Sequence, residues 1–308
     1  MKLQYLLVFA LVFSVAFSPL KKSPKLEYTY KVGDQYDMNQ VSKQNIKQDI
    51  PGMGEITVDV NIEGSMSFKV VEVTSTGGKI ETAYTSLKMI TKSPQGEMIM
   101  DSQGADDNIQ NKVIKALLNK PFLVFMNKFG KVEKVENLEN LYSGFSSLGV
   151  DEATTAQMTQ SMKQSFGENT IKTSLEMALP NYPEKAAEVG GKWNNTTENA
   201  IAFPIKTENV WTFVKVDDQG AHLESDGAIS TPDKEKVTTL NGMKAKTDLS
   251  GRQMTKAKVD LKTGWPTEIS VLSEISGDLT LLAGGPIPED MKVPMSISTE
   301  SSFKIVKK

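Results

Sequence analysis

The sequence predicts an α+β fold in which β structure dominates: a strongly curved antiparallel sheet made from two related β-meanders, with a helical segment between them covering one face. Three observations support this prediction. One long stretch alternates between apolar and polar residues, many further strand patterns end in glycine-containing turns, and helical apolar spacing is concentrated in the middle of the chain. A closed barrel and two separate sandwiches are alternative arrangements of the same strands.

The long alternating stretch runs from Ile56 to Val70. Apolar residues and Gly64 occupy its even positions, and polar residues occupy its odd positions, so a strand here has one apolar and one wet face. At about 3.3 Å per residue it would extend roughly 50 Å, so it must bend, and Gly64 is the expected place. Beyond Val70 the apolar positions change to Val71 and Val73, which predicts a β-bulge.

A second strand, over residues 35–50, precedes this stretch and is separated from it by a Pro-Gly-Met-Gly turn. If residues 51–55 form the loop, the apolar positions of both strands share one face. The resulting cross-strand pairs are Ile50 with Ile56, Ile46 with Val60, Met38 with Phe68 and Tyr36 with Val70. A shift of two residues would preserve the same face. Leu26 to Val32 is predicted to be a further short strand.

The helical patterns begin after Asp106 or Asp107, either of which is a candidate N-cap, and the first helix ends before Lys120-Pro121. Three more helical patterns follow, and strand patterns return after Val189. The apolar positions of those three helices are Leu138, Leu141, Tyr142 and Phe145; then Met158, Met162 and Phe166; then Ile171, Leu175, Ala178 and Leu179.

An internal repeat is predicted from three landmarks that recur in the same order. Residues 32–36 resemble residues 189–193, the Gly77 turn matches the Gly220 turn, and the hairpin at Gly130 matches that at Gly264. Chance resemblance among short hairpins is the alternative. The predicted organisation is a signal peptide at residues 1–18 and a single β-rich domain at 25–308, divided into repeat A (25–135), a helical insert (136–180) and repeat B (181–308).

The first 18 residues have the composition of a secretory signal, with Lys2 followed by an uncharged apolar run from Leu3 to Phe17. A retained membrane anchor is the alternative, although the run is shorter than the about 20 residues that a span needs. We therefore expect an exported protein, in the periplasm, the cell envelope or outside the cell, with no integral membrane span after cleavage.

Composition excludes several classes of function. The chain has 35 Lys and Arg against 38 Asp and Glu, mixed along its length, which argues against a nucleic-acid partner. It has no cysteine and one histidine, which removes disulfides, thiolate catalysis and most zinc or triad chemistry. We expect no cofactor, no metal and no enzymatic activity, and the sequence does not indicate protein partners.

The remaining candidates for catalysis are weak. His222 lies near Asp217, so a general base is conceivable, but a half-exposed strand histidine is the more ordinary interpretation. Ser301 and Lys304 have helical-turn spacing but lie in a predicted strand, where they point to opposite faces. The adjacent carboxylates are Asp106 with Asp107, Asp217 with Asp218 and Glu289 with Asp290, all in predicted loops or helix starts.

Several phrases resemble one known family. They are the opening Tyr28-Thr29-Tyr30-Lys31-Val32-Gly33-Asp34-Gln35-Tyr36, the phrase Ser67-Phe68-Lys69-Val70, the stretch Ser93-Pro94-Gln95-Gly96-Glu97-Met98, and Lys120-Pro121-Phe122 followed by Gly130-Lys131-Val132. The family consists of exported bacterial proteins of the Bacteroidota type, known only as a domain of unknown function. The resemblance covers most of the chain after the signal and implies export, but no activity or site residues.

Methionines and aromatic residues supply the candidate ligand contacts. Fifteen methionines are a mild excess, and methionine suits surfaces that accept varied apolar partners, although gap-filling in a core is the more ordinary interpretation. Trp265 lies in a turn whose repeat partner carries Lys131, so it is a candidate for a contact such as sugar stacking or for packing over its own turn. The candidate ligand-binding residues are Met66, Phe68, Met158, Met162, Phe166 and Trp265.

The favoured function is an exported non-catalytic binding protein that carries an apolar ligand, such as a lipid, between the curved sheet and a helical lid. This hypothesis follows from fold-level analogy with periplasmic lipid and lipoprotein carriers. It predicts a pocket of at least a few hundred Å³ beneath the helices, over the even face of residues 56–70. The alternatives are a cell-surface structural or adhesion module with a packed core and, third, a carboxylate-based hydrolase.

Overall fold

The computed structural model describes residues 24–106, 108–199, 203–240, 242–284 and 287–308. The predicted signal peptide, residues 1–18, lies outside them. The strands are β1 (Gln35–Ile50), β2 (Gly54–Val73), β3 (Gly77–Ser93), β4 (Gly96–Asp101), β5 (Phe122–Asn127), β6 (Val132–Glu136), β7 (Lys192–Asn199), β8 (Ile205–Asp217), β9 (Gly220–Ser230), β10 (Thr238–Leu240), β11 (Met243–Val259), β12 (Pro266–Leu281) and β13 (Met291–Lys307). The helices are α1 (Ile109–Leu117), α2 (Glu139–Tyr142), α3 (Glu152–Ser165) and α4 (Glu168–Ala178), with a 3₁₀ turn at Ser143–Ser147.

All 13 of these strands form one antiparallel sheet, in the order β6-β5-β3-β2-β1-β13-β12-β11-β9-β8-β7, with β4 paired to β3 and β10 paired to β11. The first and last long strands, β1 and β13, meet at its centre. Strand accounts for 57% of the structure against 15% helix, which confirms the β-dominant fold. The sheet is curved but unclosed, so the closed barrel is not formed.

The predicted register of the first hairpin is wrong by two residues. Met38 pairs with Met66 and Ile46 pairs with Val58, because Ile50 pairs directly with Gly54 and the loop is shorter than expected. Gly54 (φ +80°) adopts the left-handed conformation that permits this tight turn. Since side chains alternate with a period of two, the shift leaves every apolar residue on its predicted face.

The predicted bulge at the end of β2 is confirmed, because the register with β3 shifts between Val70 and Glu72. A second shift lies between Ser65 and Met66, next to Gly64, where the sequence indicated a bend. Bulges bend a strand and increase its twist. The extra residue of the first shift is Val71 of β2, as predicted, whereas that of the second is Thr85 of β3, so a bend of β2 at Gly64 stays a prediction.

The N-terminal segment does not form the predicted strand at residues 26–32. Its backbone instead crosses two hairpin turns: Tyr28 N–H donates to the Lys128 carbonyl at 2.8 Å, and Thr29 N–H donates to the Thr263 carbonyl at 2.7 Å. Because each partner is the tip of a hairpin rather than a strand edge, no ladder can develop. The segment joins the β5–β6 turn to the β11–β12 turn.

The N-cap of α1 also differs from the prediction. The cap is Asn108, whose side chain accepts a hydrogen bond from Gln110 N–H at 2.8 Å. Asp106 is paired with Lys115 instead, and Asp107 lies outside the described residues. The predicted helix is present, but its start is set by the amide side chain immediately before it.

The main strands of the two meanders share their order and direction, although the short strand β4 pairs with β3 in the first half and β10 pairs with β11 in the second. In the first half Gly33 N–H donates to the Val70 carbonyl at 2.9 Å, and at the matching corner Gly190 N–H donates to the Phe213 carbonyl at 2.6 Å. Beside each of these carbonyls the register shifts by one residue. This is the arrangement that a repeat would produce, and the division at residues 25–135 and 181–308 stays a prediction.

Helix α4 covers the free edges of β6 and β7, the strands at the two ends of the sheet. Val132 N–H of β6 donates to Glu176 Oε1 at 2.8 Å, and Val135 N–H donates to Glu168 Oε1 at 3.3 Å. At the other edge, the Thr173 hydroxyl donates to the Glu198 carbonyl of β7 at 3.3 Å. The helix therefore supplies side-chain hydrogen bonds where another strand would supply backbone ones.

Two substitutions of Glu176 should distinguish the effect of its hydrogen bond on stability from the effect of its charge. Burial raises the pKa of its carboxyl, although the Val132 N–H opposes that rise. Because the folded-state pKa is raised, the folded protein favours the protonated carboxyl more strongly than the unfolded chain does. The protonated Glu176 therefore stabilises the fold below about pH 4.5, and this contribution is lost as pH increases through the folded-state pKa. Glu176→Gln keeps an acceptor, so urea denaturation should show that this variant is at least as stable as wild type at pH 7. The difference in unfolding free energy between the two proteins should be smaller at pH 4.

Glu176→Ala is the matched control, because it removes both charge and acceptor. It leaves an edge N–H without its partner and should cost about 1–3 kcal/mol of unfolding free energy at both pH values. Equal destabilisation by the Gln and Ala variants at pH 7 would show that the carboxylate charge itself stabilises the edge.

Candidate functional site

One face of the sheet is almost free of charged side chains, and we call it the inner face. Register and alternation place its residues in rows that cross the strands. In the described strands, the only charged residue at an inner-face position is Lys307, at the end of β13, where it pairs with Asp34 at 2.8 Å. One row contains Met100, Met89, Ile62, Ser42, Ser301, Val271, Thr255, Ser225, Trp211 and Trp193.

The opposite, outer face carries the other charged residues of the same strands, largely as ion pairs between neighbours. Lys258 Nζ lies 2.7 Å from Glu268 Oε2, and Arg252 forms two hydrogen bonds with Asp226. These pairs are solvent-exposed, so each contributes little to stability. They show instead that nearly all charged side chains of the strands lie on one face of the sheet.

Both ends of the inner face are filled by core. An aromatic cluster at one end includes Trp265, Phe122, Phe145 and Phe213, none more than 2% exposed. The second cluster, on β11, β12 and β13, includes Leu249 and is smaller. The helices pack with the first cluster, so they cover the Met66–Val70 end of β2 more fully than the rest of that strand.

Between these clusters, six apolar side chains on the inner face of β2, β3 and β4 belong to neither one. We call them the β2–β4 apolar surface: Ile56, Val58, Val60, Ile62, Met89 and Met98. Five are half-buried, and Met98, on the free edge of β4, is 42% exposed. Apolar side chains that a core leaves accessible on a concave face are typical of a ligand contact surface.

Uncharged polar residues form a belt across the inner face beside this surface. The belt comprises Ser42, Gln44, Ser225, Gln253, Thr255, Thr299 and Ser301. The Ser42 and Ser301 hydroxyls lie 2.8 Å apart. Gln253 is 8% exposed and Thr255 is 4% exposed, yet neither side chain has a hydrogen bond within the described residues. The amide group of Gln253 and the hydroxyl group of Thr255 can therefore bind a polar group or water.

The candidate ligand residues predicted from sequence lie mostly in the aromatic cluster. Met66, Phe68 and Trp265 are buried in it, and the Phe166 ring lies 5.9 Å from that of Tyr84. Met162 packs against the cluster, whereas Met158 is half-buried on α3 and is not part of it. The structure thus brings together Met66, Phe68, Met162, Phe166 and Trp265, and their role as ligand contacts stays a prediction.

Sequence reasoning did not connect Met89 to Ile62. The two residues pair across β2 and β3, but a bulge at Thr85 changes the phase of alternation within β3. The available signal was the separate alternation of Leu87, Met89 and Thr91 beyond that point. The place of Met98 at an exposed sheet edge depends on tertiary structure.

The Trp265 ring is buried against aromatic rings of the N-terminal segment, β1 and β2 rather than over its own turn, and its role as a ligand contact stays a prediction. Its ring stacks on Tyr36 with centroids 4.3 Å apart, and it meets Tyr28 edge-on at 5.5 Å. The Tyr182 hydroxyl donates to the Gly264 carbonyl at 2.6 Å. Burial raises the pKa of Tyr182 well above its ordinary value, so this hydroxyl keeps its proton.

His222 lies on the outer face, in a groove of about 510 Å³. Its Nε2 is 2.9 Å from Asp217 Oδ1, and hydrogen bonds from Lys215 and then His222 hold the Asp217 pKa far below its ordinary value. The histidine is therefore part of a surface hydrogen-bond network with Asp217, which also pairs with Lys215. Ser301 is buried while Lys304 is exposed, so they do lie on opposite faces.

Two further findings concern the described residues alone. They contain no group of three or more His, Cys, Asp or Glu side chains placed to hold a metal ion. None of their helices combines the length and apolar character required to cross a membrane.

Solved structures similar to this chain show low sequence identity. A structure of lipovitellin, concerned with lipid–protein interactions in that protein, has a TM-score of 0.50 and 9% identity, and the match covers 91% of this chain and 25% of that one. This protein therefore spans about a quarter of the lipovitellin chain, and the similarity concerns the fold alone. An outer membrane channel from Pseudomonas putida F1 has a TM-score of 0.25 at 8% identity, covering 91% of this chain and 97% of that one.

Sequence comparison gives a family but no curated relative. No curated protein matches the chain. The model of a family described as being of unknown function, DUF6263, matches residues 75–266 of the 308. Because the match spans more than half of the chain, this protein belongs to the DUF6263 family.

Proposed function

We propose that this protein is an exported, non-catalytic binding protein that carries an apolar ligand, such as a lipid, against the inner face of its sheet. The observation that carries the proposal is the β2–β4 apolar surface, which is accessible, contiguous in register and separate from both core clusters. Its contact groups are aliphatic and thioether side chains, and the flexible thioethers adapt to varied apolar ligands.

Energetics favour an occupant at this surface. Complete burial of one Val, Leu, Ile or Met side chain stabilises a protein by about 1.5–3 kcal/mol relative to full exposure. Because the six side chains are only partly buried, part of this free energy is not gained on folding. A ligand that displaced water from them would gain it on binding.

The similarity to lipovitellin adds fold-level support. Lipid–protein interactions are the subject of that structure, and a sheet of the same general form is present here. Fold alone does not establish function, so the apolar surface carries the proposal and the similarity serves only to choose lipid as the ligand to test first.

The test is native mass spectrometry of protein purified from the exporting cell, followed by solvent extraction and lipid analysis. We expect a co-purifying apolar molecule in the wild type. Met98→Asp places a charge on the inner face at an edge strand, where the exposed position tolerates it, and should reduce occupancy about tenfold or more.

Ile99→Asp is the matched control, because Ile99 is the next residue of β4, is 43% exposed and lies on the outer face. Occupancy in this variant should remain close to wild type. Loss of the molecule in both variants, or in neither, would contradict binding at the β2–β4 apolar surface.

A structural or adhesion module is the second candidate, and the filled aromatic cluster favours it. The side chains of Phe122, Phe145 and Phe213 have no measurable exposure, so the helix-covered end of the fold is tightly packed. Wild-type protein that carries no apolar molecule after purification, and acquires none when incubated with lipid vesicles, would support this candidate.

A further inference from the structure

Resting on the proposed function, we infer that the inner face selects electrically neutral amphiphiles that carry ester, hydroxyl or amide groups, and rejects fatty acids and lipids whose charged groups would enter the sheet. Two observations lead to this inference. Apart from Lys307 at the end of β13, the described inner face lacks acidic and basic side chains, and the polar belt lies directly beside the β2–β4 apolar surface.

The rows place apolar and polar contacts side by side. Ile62 pairs with Ser42, and Val60 pairs with Gln44. From these two strands the belt continues through Thr299 and Ser301 of β13 to Gln253 and Thr255 of β11. An acyl chain on the apolar surface would therefore direct its polar end toward hydroxyl and amide groups on neighbouring strands.

These side chains suit a neutral hydrogen-bonding group. Gln253 and Thr255 are more than nine-tenths buried, and both lack a side-chain hydrogen bond within the described part of the chain. Glutamine offers both donors and an acceptor, and threonine offers a hydroxyl, so together they match an ester carbonyl or a glycerol hydroxyl. Among the described residues, the fully buried side-chain polar atoms without a partner belong to Tyr36, Thr82 and Trp265. The polar atoms of Gln253 and Thr255 therefore reach solvent, where water or an occupant can bind them.

A charged group would have no counter-ion in the belt. Arg252 and Lys258 of β11 are on the outer face and are already paired with carboxylates. Lys307 pairs with Asp34 and lies six residues beyond Ser301 along β13, a distance of about 20 Å. An ion moved from water into a site without a partner loses solvation that neutral hydroxyls do not restore. Charge complementarity therefore excludes carboxylate, phosphate and ammonium groups from the belt.

The test compares two probes with one acyl chain, 1-lauroylglycerol and laurate, by calorimetric titration into the full mature protein at pH 8. We expect the neutral glyceride to bind at least about tenfold more tightly than the ionised acid. Equal binding would overturn charge selection while leaving apolar binding intact. Binding of neither probe to delipidated protein would instead count against the proposed function, so the two failures are distinguishable.

A second experiment adds a cation to the belt. Gln44→Lys should increase laurate affinity about tenfold and weaken binding of 1-lauroylglycerol, because the new ammonium group supplies the missing counter-ion. Asn45→Lys adds the same charge to the adjacent outer-face position and should leave both affinities unchanged. Identical responses in the two variants would overturn the inference, because laurate would then respond to net charge rather than to the belt.

Discussion

Replacement of Trp265 with alanine should destabilise the protein by about 3–5 kcal/mol, the usual cost of removing a large aromatic side chain from a core. Trp265 is 2% exposed, stacks on Tyr36 and lies 5.7 Å from Phe68. Its removal would leave a cavity where β1, β2 and the β11–β12 turn meet. Because a domain is stabilised by only about 5–15 kcal/mol in total, this loss would be visible as a large decrease in the urea midpoint.

Trp193→Ala is the control for this measurement. Trp193 also stacks on an aromatic ring, that of Trp211 at 6.2 Å, but it is half-buried and lies at the sheet edge. Its replacement should cost clearly less than that of Trp265. A loss of less than about 1 kcal/mol in the Trp265 variant would mean that the aromatic cluster is not a tightly packed core.

Gly264→Ala should have the second large effect, because both conformation and space exclude a side chain. The residue has φ +70°, and a Cβ atom there would lie 1.9 Å from the Glu27 carbonyl oxygen. The N-terminal segment would have to move off the turn, which would break the hydrogen bond between Thr29 and Thr263. We expect a loss of at least about 3 kcal/mol and faster tryptic cleavage at Lys25 and Lys31.

Gly190→Ala distinguishes the two causes. Gly190 has a similar conformation, φ +87°, but no atom lies within 4 Å of a Cβ added there. Its substitution should cost about 1–2 kcal/mol from the left-handed backbone alone. Equal effects in the two variants, or unchanged cleavage in Gly264→Ala, would show that the N-terminal segment is not held against the β11–β12 turn.

The proposed binding surface and the packed core occupy different parts of this sheet. The Trp265 end provides a packed core, whereas the β2–β4 apolar surface leaves apolar groups accessible. Stabilising substitutions at Met98 or Met89 would therefore be expected to reduce ligand capacity. This separation means that loss of ligand in Met98→Asp need not be accompanied by loss of fold, and denaturation of that variant checks the point.

Local patterns in the sequence determined the strands and their faces. The alternation from Ile56 to Val70 predicted the apolar side of β2, and a register error of two residues left that side unchanged. The bulge after Val70 was likewise predictable, because the change of phase is a local property. The N-cap of α1 was missed because three consecutive candidates, at residues 106–108, compete within one turn.

Tertiary structure alone decided which surfaces meet. Nothing local indicates that β1 pairs with β13 or that α4 covers the edges of β6 and β7. Each depends on contacts between distant segments, and their free energy is shared across the whole sheet rather than encoded in a short window. The sequence by itself therefore determined which face of a strand such as β2 is apolar, because alternation is a local property, while the assembly of the sheet decided that Met66, Phe68 and Trp265 became core and that Ile62 and Met98 stayed accessible.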